Sequence, residues 1–279
     1  VRSAAFSMIE AFYTDEFVLP LPAGHRFPME KYRILRDKVI ESACSIKLLV
    51  PEAATGGQLA LAHCPGYVHR IECGEISAGE QKEIGFPWSE RMVERSLRSV
   101  GATIAACRSA LQHGASVNLA GGTHHAKRSK GGGFCVFNDL AVAARVYQTD
   151  AIAWLNSAQN GSISSRGGHH VLVIDLDVHQ GDGTAEILRN DPSVFTFSMH
   201  GANNFPYRKE QSNLDIALAD NTKDDEYLNI LKKEYQKIIN QEKPDFIFYQ
   251  SGVDVLESDK LGKLSLSIEA CKERDYIVL

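Results

Sequence analysis

From about Trp88 onward, the apolar positions of the chain alternate between two spacings. Residues 89–113 place Val93, Leu97, Ile104 and Leu111 at helical intervals, with Ser89 able to cap the start and Gly114 to end the run. A short strand is predicted over 115–120, halted by Gly121 and Gly122, and a helix over about 138–147. The run from Val171 to Leu176 is apolar at nearly every position, which predicts a strand buried on both faces. A short helix at 183–189, a strand at 194–199, a charged helix at 224–240 and a strand at 245–250 follow. This alternation predicts an α/β fold, a doubly wound, mostly parallel sheet with helices on both faces. Two stretches break the rhythm. Residues 149–170, rich in Ser, Gly and Asn, read as an inserted surface loop. Pro20, Pro22 and Pro28 punctuate an opening segment that leads to a helix around 29–42.

Composition narrows the classes. The 279 residues are 44% hydrophobic with a formal net charge of −5, which suits a globular protein with a packed core. No apolar run of roughly 18 residues predicts a membrane span. The mild acidity gives no electrostatic footprint for direct nucleic-acid binding. Cys44, Cys64, Cys73, Cys107, Cys135 and Cys271 form no C-x-x-C pair and are read as free thiols in a reducing compartment. No secretory signal is visible, so nucleus or cytoplasm is expected, with the plastid also open.

Candidate chemistry gathers where a parallel sheet binds its ligands, beyond the carboxyl ends of the strands. After 115–120 come His124 and His125; after 171–176, Asp177, His179 and Asp182; after 194–199, His200; after 245–250, Asp254. Asp177 and His179, two apart, point to one side of an extended segment. With Asp254 they offer two carboxylates and an imidazole, a donor set for a catalytic zinc that keeps an open position. The plainer reading of Asp-x-His is a cap for the following helix. His124 and His125 are candidates for acid–base work, with Asp175 and Asp182 placed to orient imidazoles. His169 and His170 also follow two glycines, but precede their strand and read as a decoy. Gly131–Gly133 leave backbone room, and Phe134 and Phe205 are either channel walls or ordinary core.

These residues resemble the histone deacetylase family of the arginase–deacetylase superfamily. The resemblance runs from about residue 18 to the end through GGTHHA at 121–126, GGGFCVFND at 131–139, DLDVHQGDGTA at 175–185, SMH at 198–200 and SGVD at 251–254. HRFPMEKY at 25–32 and DVLESDKLGKLSLS at 254–267 look most like the class IV branch and its bacterial and plant relatives. The resemblance implies one deacetylase-like catalytic domain over 1–279 and a zinc-dependent lysine deacetylase acting on histones or other acetylated proteins or peptides, in chromatin and transcription regulation. It implies zinc ligands at Asp177, His179 and Asp254, a general base at His125 and its electrostatic partner at His124. Asp175 and Asp182 would pair with His124 and His125, while Gly133, Phe134 and Phe205 would line the substrate channel. A potassium ion is implied beside Asp175, Asp177, His179, Ser198 and the Met199 carbonyl.

One departure stands out. The family's oxyanion-binding tyrosine, in a Gly-Gly-Tyr context, would lie downstream of Leu279, and Tyr276 lacks the glycines. Losing such a donor costs about 2.7–4 kcal/mol in comparable sites. The domain is therefore expected to be incomplete at its C-terminus, with 277–279 as the first residues of a further strand. The alternative is a catalytically impaired truncated form, or pseudoenzyme, that acts as a binding protein. A ureohydrolase with two metals would need an acid two residues after Asp254, where Leu256 stands.

Overall fold

The computed structural model describes residues 9–42, 44–157 and 170–279, in two compact units, Val1–Asp150 and Ala151–Leu279. The first unit contains β1 (Ile9–Phe12), α1 (Lys31–Glu41), β2 (Ile46–Leu49), α2 (Gly56–Leu59), α3 (Pro65–Cys73), α4 (Ala78–Ile84), α5 (Glu90–His113) and β3 (Ser116–Asn118). Helix α6 (Asp139–Ser157) begins there and ends in the second unit. Then come β4 (Val171–Asp175), α7 (Asp182–Leu188), β5 (Val194–Gly201), β6 (Leu214–Leu218), α8 (Asp224–Glu242), β7 (Phe246–Gln250) and α9 (Ile268–Val278).

In the first unit β1 lies between β2 and β3, parallel to both. Helix α5 packs Ala102 and Ala106 against Phe12 of β1. It begins where Ser89 accepts a hydrogen bond from the Met92 amide and ends at Gly114, whose positive φ suits a glycine. Gly101 faces a crossing segment: a Cβ there would come within 1.9 Å of the Glu52 carbonyl oxygen.

The second unit carries a parallel sheet in the order β6-β5-β4-β7. Side chains alternate across a strand, so β4 serves two layers. Leu172 and Ile174 join a core with Tyr227, Leu228 and Leu231 of α8 and Ala270 and Cys271 of α9. Val173 and Asp175 line a small internal space with Thr184 and Ala185 of α7. Every residue of β4 is buried, which is why it is apolar without alternation up to its last residue, Asp175. The parallel α/β architecture expected from the sequence is thus present.

Two expectations are corrected. Residues 149–157 belong to α6, because Ala151-Ile152-Ala153-Trp154-Leu155 are helix-compatible residues that extend the run; only 158–169 of the expected loop fall outside the described residues, and with them His169. Ile277 and Val278 do not open a strand. They close α9, which starts at Ser267 with a cap to the Ala270 amide and ends with Tyr235 donating to the Val278 carbonyl at 2.9 Å. Several elements escape periodicity altogether. Helices α2 and α4 are four and seven residues long, yet each opens with a capping box, Thr55/Gln58 and Ser77/Glu80, legible as S/T-x-x-E/Q.

Candidate metal centre

The strand order of the second unit reverses at β4: β5 and β6 step away on one side and β7 returns on the other. The carboxyl ends of β4 and β7 flank this switch point, with Asp175 in register with Gln250. A crevice at such a reversal is where open α/β sheets bind ligands. Asp177 and His179 follow one strand end and Asp254 the other. Their ligand atoms lie within 4.8 Å of one another.

His179 Nδ1 sits 3.0 Å from both Asp177 Oδ1 and Asp254 Oδ2. Backbone amides fix the acids: His179 N donates to Asp177 Oδ1 at 2.8 Å and Val178 N to Asp254 Oδ1 at 3.0 Å. Asp175 accepts from the Asp177 amide at 3.1 Å. Gly252 allows the two loops to touch, since a Cβ there would lie 2.5 Å from Asp177 Cα. Burial alone would depress the His179 imidazolium, but the hydrogen bonds and charges of Asp177 and Asp254 outweigh it and lift the pKa to about 10. Burial and the Asp177 charge push Asp254 up to about 6, against the pull of His179. Two carboxylates and one imidazole in a half-buried cluster suit zinc with an open position.

The surrounding expectations fall as follows. Asp182 is the buried first residue of α7. Ser198 stands opposite Asp175 in the β4–β5 register, its hydroxyl 2.9 Å from His200 Nδ1, and Met199 is fully buried. Phe205 is 41% exposed, with its ring 6.5 Å from that of His179. Lys209 donates to the carbonyls of Asn204 and Pro206, pinning the segment that carries Phe205. Gln180, fully buried, bonds Glu210 and Asp215 and ties the same segment to the metal-ligand loop. His170 lies at the opening end of β4, 3.0 Å from Glu242, at the other end of the strand from Asp175.

In the first unit His124 and His125 are buried with rings 4.1 Å apart. Their turn is gathered by the carboxylate of Asp139, which accepts from the Gly122 and Thr123 amides and from the hydroxyls of Thr123 and Thr103. Asn138 donates to the carbonyls of His124 and Ala126, while its own amide donates to His63 Nε2 at 2.9 Å. Asp139, Asn138 and His63 had no assigned role in the sequence reading; a polar Asn-Asp pair directly after apolar residues 134–137 was the available signal.

Gly133 and Phe134 form the tip of a turn closed by paired Gly132–Cys135 bonds, both with positive φ. Their amides donate to the Glu83 and Ile84 carbonyls at the end of α4. Phe134 packs on Phe27 and Phe86 and remains partly exposed, so HRFPMEKY supplies part of its aromatic bed through His25 and Phe27.

Comparison with known proteins identifies the family. The histone deacetylase domain matches residues 25–279. An uncharacterised protein of Picosynechococcus is 41% identical over 269 residues, covering 96% of this chain and 85% of that protein. Histone deacetylase 2 of Arabidopsis thaliana is 27% identical over 90% of this chain, and the acetoin utilization protein AcuC of Staphylococcus aureus 28% over 83%. The chain spans 64% and 61% of those two relatives. An HDAC homolog from Aquifex aeolicus shares the fold with a TM-score of 0.76 at 24% identity, over 98% of this chain and 76% of that one. The HDA15 HD domain does so at 0.75 and 18%, over 96% and 81%. The chain belongs to the histone deacetylase family.

Proposed function

We propose that the protein is a zinc-dependent lysine deacylase, hydrolysing the amide of acetyl-lysine in histone tails or other acetylated proteins. The observation that supports it best is the Asp177–His179–Asp254 donor set at the switch point of the sheet. Zinc held there would supply Lewis acidity toward water and the amide carbonyl. Following the family resemblance, His125 takes the proton from the attacking water and returns it to the lysine amine as that amine leaves. His124 stabilises the charge that His125 gains, and Asp175 and Asp182 orient the two imidazoles. Gly133, Phe134 and Phe205 guide the acyl-lysine stem. Potassium at Asp175, Asp177, His179, Ser198 and the Met199 carbonyl belongs to the same proposal. The class IV placement rests on the two segments that suggested it and not on the bacterial relatives.

The test is release of acetate from an acetyl-lysine peptide by the protein carrying this domain. Release should stop with a chelator, return with zinc, and fall by at least 10²-fold in His125→Ala. Undiminished turnover in that variant would remove His125 from its role; chelator-resistant turnover would remove the metal.

A further inference from the structure

We propose that Arg274 of α9 is a positioning residue that holds the two ligand-bearing loops of the metal centre in register. The inference rests on the zinc reading of Asp177, His179 and Asp254.

The side chain of Arg274 is wholly buried. A buried guanidinium needs acceptors on every edge, and its choice of partners is informative. Nη1 donates to the carbonyl of Gly252 at 2.5 Å and, at 3.4 Å, to that of Leu176. Leu176 immediately precedes the ligand Asp177, and Gly252 lies two residues before the ligand Asp254. Nη2 donates to Ser251 Oγ at 2.7 Å. Nε donates to Asp275 Oδ1 at 3.0 Å, which also accepts from Tyr249 and Ser251 hydroxyls. One planar cation thus grips the peptide leading into each ligand loop, and Asp275 balances its charge while bonding the end of β7.

The contact it secures is a tight one, because Gly252 is pressed against Asp177. The guanidinium reinforces direct bonds between the two segments, Leu176 N donating to the Gln250 carbonyl at 3.1 Å and Val178 N to Asp254 Oδ1 at 3.0 Å. The fork geometry matters: a lysine keeps the charge but has no planar array to span two carbonyls.

The experiment uses the full chain and measures zinc affinity by competition with a chromophoric chelator, beside the melting temperature of the metal-free protein. Arg274→Lys and Asp275→Asn should weaken zinc binding ten- to hundredfold, the range usual for groups that orient metal ligands, and Ser251→Ala severalfold. Tyr235→Phe is the control. It removes a bond to the end of the same helix without touching either loop, so it should lower the melting temperature and leave zinc affinity unchanged. Should Arg274→Lys fail to fold, Asp275→Asn and Ser251→Ala decide the matter. Wild-type zinc affinity in the folded variants, or equal weakening in Tyr235→Phe, would overturn the inference. Failure of the wild-type chain to bind zinc would instead overturn the zinc reading, and this inference with it.

Discussion

His63 is fully buried with both ring nitrogens engaged, Nδ1 donating to the Lys127 carbonyl at 3.0 Å and Nε2 accepting from the Asn138 amide. That arrangement requires the neutral ring. Burial drives its pKa down to about 4, against an ordinary 6.5. The unfolded chain therefore binds the proton first as pH falls. The stabilisation is whole above about 6.5 and drains away toward 4, on the order of 3 kcal/mol in all. Thermal melts between pH 7 and 4 should show this loss, and His63→Gln should flatten it. Gly252 makes a second residue-scale prediction. Gly252→Ala drives a Cβ into Asp177, at an overpacking cost of about 1–3 kcal/mol, and should weaken zinc binding as well as lower the melting temperature.

Among the elements, α5 shows how context reverses propensity. Replacing a mid-helix glycine by alanine normally stabilises by about 0.5–1 kcal/mol. Here Gly101→Ala should destabilise by more than that, because the added methyl meets the Glu52 carbonyl oxygen and backbone cannot step aside cheaply. Chemical denaturation of the two proteins would read the sign. Helix α5 and strand β4 were legible in the sequence because their apolar patterns run long and end on clear stop residues. Strand β6 was not: LDIAL is partly exposed, and Asp215 interrupts it to bond Gln180. The juxtaposition of Asp177, His179 and Asp254 was legible for a different reason, as Asp-x-His sits just after a buried strand. Asp139 and Arg274 were invisible in that way. A charged residue whose partners are backbone groups far along the chain leaves no local pattern, and only the folded contacts reveal its work.

At the scale of the whole molecule, metal and fold stability should be linked. A cation that binds the folded chain and not the unfolded one stabilises by RT ln(1 + [L]/Kd), about 4 kcal/mol at a thousandfold excess over Kd. Zinc should raise the melting temperature of the wild-type chain and leave Asp254→Asn nearly unmoved; an equal response in both would place the ion elsewhere. The order β6-β5-β4-β7 carries a last consequence, for the ribosome. Asp177 and His179 are synthesised about 75 residues before Asp254 reaches them, and Arg274 follows later still. A nascent chain can pair β4 with β5 and β6 while only two of the three candidate metal donors have been made. On the zinc reading, metal capture waits for the strand that turns back, and the docking of α9 closes the unit after it.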